Sequence, residues 1–245
     1  YALGLYAWTL NHDGRPEVAI EVASQGAAGG DPGAAAVLAE ILTTRVNRQA
    51  RAERKWSAVL GAFERTEALS REVLKTVPPG WLVKHAQALF RAGKPAEGHR
   101  RFERAIEQHT WSAASHLAYA KQLLKLRDES KSDPERAALR TKAVTLLGKG
   151  LTQTRSAREA NASLALLELE DSRNALPLLL RFSRLANLRP HEQRARADLL
   201  LKHVELLDPV GLEAALADLE VSASSPVQPG ARRHQDLLAR IRVRH

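Results

Sequence analysis

Cysteine is absent from the 245 residues. That excludes disulfides, thiolate nucleophiles and cysteine-ligated zinc or iron–sulfur centres. It leaves the compartment open, since cytosolic and envelope proteins alike can lack cysteine. Methionine is absent too, and the first residue is Tyr1. The chain therefore reads as trimmed at its start, or as one whose methionines are missing. The cytoplasm is the expected location, and the envelope is the alternative that goes with a trimmed leader. Aromatic residues make up only 4% against 44% hydrophobic residues, so Leu and Ala must supply most of the core. Both suit helices, because Ala loses no side-chain entropy there and Leu loses little. Alternating runs of Val and Ile, the usual mark of strands, are missing. No apolar run approaches the length of a membrane span, and no signal peptide is visible.

Catalytic signatures are equally scarce. No phosphate loop or dinucleotide fingerprint occurs. Leu147-Gly148-Lys149-Gly150 is too short for one and lies in a helical pattern, and the Gly-rich stretch Gly26–Gly33 sits between helices rather than after a strand. Nine His residues include His109 and His116, seven apart and able to share a helix face, but no third ligand accompanies them. Ser112, Ser115 and His116 lack the surroundings of a nucleophile elbow. Glu168, Glu170 and Asp171 read as a solvated helix end rather than a paired acid and base. The sequence thus predicts no enzyme, no metal site and no cofactor.

What is present is a repeat. Leu3, Ala7, Leu10, Gly14, Ala19, Ala23 and Gly26 recur as Leu82, Ala86, Leu89, Gly93, Gly98, Phe102 and Ala105, offset by 79 residues. The turns match as well, Gly14-Arg15-Pro16 against Gly93-Lys94-Pro95. The physics is that of an antiparallel helix pair. Small residues at Ala7/Ala86 and Ala19/Gly98 allow close approach, larger ones fill the space between pairs, and a Gly ends the first helix in a left-handed conformation. A single pair cannot bury its apolar face alone and must stack on neighbours.

These positions resemble the tetratricopeptide repeat. Ala86, Leu89, Gly93, Gly98, Phe102 and Ala105 match its order of small residue, large residue, turn Gly, Ala, aromatic and Ala. Gly98 departs from the family's Ala, and Thr110 stands near the place of its closing Pro. The resemblance implies an all-α, right-handed α-solenoid of antiparallel helix pairs over residues 1–221. The clearest repeats are 3–31 and 82–110, and weaker pairs fall at 34–78, 117–150, 160–188 and 191–221. In the pair at 34–78 the helices are expected at Ala34–Arg48 and Ala52–Thr76. In the next, a polar loop from Arg127 to Pro134 precedes a return helix carrying Ala143, Leu147 and Gly150. A Ser/Pro-rich linker, 222–230, leads to a basic C-terminal helix, 231–245.

The resemblance also implies a concave groove lined by the first helix of each pair. That assigns Tyr6, Asn11, Lys84, Gln87, Arg91, Tyr119 and Gln122 to a surface that binds a peptide or partner helix. Lys84, Gln87 and Arg91 share one face by their spacing. The net charge of +9 favours acidic partners. Basic residues cluster as Arg45, Arg48, Arg51, Arg54 and Lys55 along one expected helix, as Arg100, Arg101 and Arg104 on another, and as Arg181, Arg184, Arg189, Arg194 and Arg196. Solvated helix faces paired with Glu53, Glu97 and Glu103 are the ordinary explanation of such runs. The leading expectation is a non-catalytic protein-interaction scaffold that binds another protein or an acidic peptide. The alternatives are a basic solenoid that binds nucleic acid, and the repeat portion of a larger enzyme or transcription regulator. Few aromatic residues argue against single-strand stacking.

Overall fold

A computed structural model of the chain describes residues 2–50 and 53–153. Among these residues there are eight α-helices and no strand. They are α1 (Ala2–His12), α2 (Pro16–Ala28), α3 (Pro32–Arg48), α4 (Ser57–Val73), α5 (Pro79–Arg91), α6 (Pro95–Gln108), α7 (Ala113–Glu129) and α8 (Asp133–Gln153). The chain divides into two units, Tyr1–Thr110 and Trp111–His245. The first contains α1 to α6, and the described part of the second is the pair α7 and α8. The expected pairs at 160–188 and 191–221, the linker, the C-terminal helix and the Arg181–Arg196 group lie outside the described residues.

Helix boundaries follow local chemistry. Proline occupies the first turn of α2, α3, α5 and α6. Its missing N–H is not needed there, and its fixed φ already suits the helix. The carboxylate of Asp31 caps α3, accepting from the amides of Gly33 at 2.8 Å and Ala34 at 3.2 Å. The two Gly-basic-Pro turns have nearly the same backbone. Gly14 has φ 76° and Gly93 φ 77°. Arg15 follows at φ −111°, ψ 57°, and Lys94 at φ −110°, ψ 60°. In both, the amide of the basic residue donates to a leucine carbonyl five residues back, Leu10 or Leu89, at 2.9 Å. The 79-residue offset is therefore a repeat of backbone geometry as well as of residue type.

Within the first unit each helix packs on the next, and α1 also packs on α3. The contact surfaces are made of small residues. Ala7, Ala19, Ala23, Ala34 and Ala39 are fully buried. A Cβ at Gly4 would lie 2.7 Å from the carbonyl carbon of Gly33, and one at Gly26 would lie 2.5 Å from Ala34 Cβ and 3.0 Å from Leu3 Cβ. The bare backbones of α1 and α2 thus press directly on the start of α3. Gly98 does the same for the third pair, where an added Cβ would lie 2.6 Å from the Phe90 ring. Larger side chains fill what remains. Leu10 packs with Ala19 and Ile41, and Trp56, Val59, Leu60 and Phe63 of the second pair pack with Ala88 and Leu89 of the third. In the second unit, Leu123, Leu147 and Leu151 are fully buried, and α8 comes within 2.9 Å of His116 Cβ at the place where a Gly150 Cβ would stand.

Two expected boundaries are corrected. The second helix of the pair at 34–78 begins at Ser57, not Ala52. Arg54 turns back onto the end of α3, donating from Nε to Gln49 O at 3.1 Å and from Nη2 to Asn47 O at 3.2 Å. That cap on two orphaned carbonyls holds the approach to Trp56 as a loop. The polar stretch Arg127–Pro134 is mostly helical, with only 130–132 between α7 and α8. Arg, Lys and Glu are good helix formers, so charge alone did not mark a loop. The break falls at Ser130, whose hydroxyl donates to Glu135 Oε2 at 2.6 Å.

Two glycine substitutions test the packing with opposite signs. Gly61 of α4 is exposed, with no atom within 4 Å of an added Cβ. Gly61→Ala should raise stability by about 0.5–1 kcal/mol through helix propensity. Gly26→Ala should instead lower it by about 1–3 kcal/mol through overpacking. Urea unfolding of both variants decides the matter, and a stabilised Gly26→Ala would refute the close approach.

Candidate binding site

The expected groove residues of the first unit lie on α1 and α5. Tyr6 is exposed, Asn11 and Gln87 are half-buried, and Lys84 and Arg91 are exposed. The Lys84 ammonium pairs with the Glu40 carboxylate of α3. Tyr119 and Gln122 belong to α7 in the second unit. Tyr119 is 0% exposed, with the Lys142 ammonium 5.0 Å from its ring centroid. Its assignment to a binding surface is therefore corrected. It continues the stripe of His116, Ala120 and Leu123, which faces the core.

The basic patch also separates. α3 ends at Arg48, so Lys55 and Arg54 are not on its face but in the loop that follows. Arg51 lies outside the described residues. Arg45 pairs with Glu17 of α2 at 3.2 Å, Arg48, Lys55 and Arg100 are exposed, and Arg104 is drawn into a different cluster. The Ser112, Ser115 and His116 group serves the start of α7. Ser112 Oγ accepts from the Ser115 amide at 3.4 Å, and His116 Nδ1 lies 3.0 Å from Ser112 O. His109 follows the end of α6 and binds Val77 O at 2.7 Å, so it shares no helix with His116. Among the described residues no group of three or more metal-ligating side chains gathers.

The most concentrated chemistry in the first unit is a cluster that sequence reasoning passed over. Glu67 of α4 has a side chain only 3% exposed. Its Oε1 lies 2.6 Å from His85 Nδ1 of α5 and 2.9 Å from Arg101 Nε of α6. Its Oε2 lies 2.7 Å from Arg71 Nη2 and 3.5 Å from Arg104 Nη1. Burial pushes the Glu67 carboxyl up. The hydrogen bond from His85 and the charges of Arg101 and Arg104 outweigh it and hold the group below the usual carboxylate range. An ionised carboxylate only accepts, so His85 Nδ1 carries the proton between them. The imidazole lies on the Phe63 ring, centroids 5.3 Å apart and planes 9° from parallel, and its Nε2 is buried without a hydrogen-bond partner. The signal was available in outline. Val59, Phe63 and Glu67 follow one helical stripe, so Glu67 occupies a core position, and Arg71 stands four residues further on.

No protein-family model, curated protein or solved structure matches this chain. In the first unit one buried carboxylate joins α4, α5 and α6.

The cluster has a pH signature. A folded-state pKa below the ordinary 4.5 means that Glu67 contributes its full stability above that value and loses it as pH falls toward the lowered one. Glu67→Gln should flatten this acid limb in urea unfolding. At pH 7 it should destabilise by about 1–3 kcal/mol, because three partly solvated arginines lose their shared counter-charge. Wild-type stability at neutral pH with an unchanged acid limb would show that the carboxylate does not hold the three helices.

Proposed function

We propose that this chain is a non-catalytic, tetratricopeptide-like scaffold that binds an extended peptide or a partner helix along the first helices of its pairs. The observation that carries the reading is the ion pair between Glu40 and Lys84. It ties α3 to α5, the first helices of consecutive pairs, and α1 packs on α3 in turn. Tyr6 and Asn11 on α1 and Lys84, Gln87 and Arg91 on α5 therefore stand on the two helices tied to α3, each with exposed surface. Side-chain amides bind a peptide backbone, and the two basic groups bind acidic side chains. A right-handed sense of stacking belongs to this proposal, as does the preference for an acidic partner, which the net charge of +9 supports.

That same charge favours the second reading, a basic helical surface for nucleic acid, in which Arg48, Lys55 and Arg100 supply exposed cations. Selection of a displayed random-peptide library on the purified chain separates the two. The scaffold reading expects acidic peptides to emerge and to bind about tenfold more weakly to the Lys84→Glu/Arg91→Glu variant. If no peptides emerge, and a single-stranded oligonucleotide binds with affinity that falls steeply with salt, the nucleic-acid reading replaces it.

A further inference from the structure

We propose that Arg71, Arg101 and Arg104 form a binding site for a phosphate dianion, with Glu67 as its floor. The inference is independent of the peptide groove on the first helices. Three guanidinium charges meet one carboxylate charge, so positive charge exceeds negative charge where they converge. A phosphomonoester carries about −1.5 to −2 at pH 7 and matches that excess.

The donors match as well. Each guanidinium has five N–H groups in a planar fork, while the carboxylate has about four acceptor positions. His85 takes one of these positions. Most of the arginine donors are therefore not used by Glu67. The side chains of Arg71, Arg101 and Arg104 are 47%, 31% and 29% exposed, whereas that of Glu67 is 3% exposed. The carboxylate lies beneath, and the arginines reach solvent around it.

Glu67 also prepares the site. By hydrogen bonding Arg71 and Arg104 and holding Arg101 close by charge, it removes much of the rotamer freedom that a long side chain loses on binding. Arginine forks suit phosphate oxygens because they form paired, charge-assisted hydrogen bonds. The convergence of all three on a single point favours one dianion over a strand of phosphodiesters, which spreads one charge per phosphate along a track.

Calorimetric titration with inorganic phosphate, against sodium chloride at equal ionic strength, tests the site. A phosphoserine-peptide library with random flanks and an oligonucleotide without a terminal phosphate form the parallel arms. Phosphate-dependent heat is expected. Arg101→Gln/Arg104→Gln should weaken it about tenfold or more, and Lys125→Gln on α7, matched in charge to the single Arg71→Gln change, should leave it unaltered. Arg71→Gln, at the most exposed of the three, is the second variant and should weaken binding while helical circular dichroism is retained. Phosphopeptides that bind more tightly than inorganic phosphate identify a phosphorylated side chain as the source, and equal or weaker binding identifies a small free phosphate. The proposal is overturned if phosphate gives no heat beyond chloride, if Arg71→Gln binds as well as wild type, or if the oligonucleotide outcompetes both phosphate probes.

Discussion

The first unit depends on how closely its helices can approach, and that distance is set by residues with little or no side chain. Helix axes usually lie 8–10 Å apart, and the lower end of that range requires Gly or Ala at the contact. Gly4 meets the backbone at Gly33, and Gly26 meets Ala34, so three helices converge where α3 begins. With so few aromatic residues, large side chains cannot hold helices apart and fill the gap. The chain instead brings backbones together and inserts single large residues, such as Leu10 and Phe102, into the spaces left. Dispersion favours this solution, because an atom gains its full contact energy only when no void separates it from its neighbour. The short ion-pair reach from Glu40 to Lys84 is available only once the pairs have stacked.

The Glu67 cluster works on a different principle. Alanine faces are permissive, since one small residue resembles the next and a helix can slide along them. A buried carboxylate is not permissive. Sliding α6 by one turn would carry Arg101 and Arg104 away from Glu67 and leave the buried carboxylate with Arg71 and His85 alone, which is destabilising. Small residues supply proximity, and the charged cluster selects one register of α4, α5 and α6 out of several that proximity alone would accept.

The helix pairing was legible because its determinants are local. Gly14 and Gly93 end helices, Pro16 and Pro95 begin them, and apolar residues at spacings of three and four mark the buried faces. The start of α4 was not legible, because it depends on Arg54 folding back on α3, a contact that composition does not announce. The loop expected at Arg127–Pro134 shrank because exposed charged residues extend helices as readily as they occupy loops. Tyr119 was placed on the wrong face because the groove was assigned to the first helix of each pair, whereas its spacing from His116 and Leu123 placed it in the core. Glu67 was overlooked for the converse reason. A glutamate flanked by Arg65 and Arg71 looks like ordinary surface charge, and only the partners from α5 and α6, 18 to 37 residues away, make it an interior group.

The two Gly-basic-Pro turns carry one further implication. They share dihedral angles to within a few degrees, although one is followed by Ala19 and Ala23 and the other by Gly98 and Phe102. Their shape therefore resides in the three turn residues and the backbone bond to the preceding leucine, and owes little to what the second helix carries. Such a connector is a transplantable part. Spliced between two unrelated helices of suitable length, it should impose the same reversal of direction, which makes this short stretch of chain a joint for building helical hairpins from scratch.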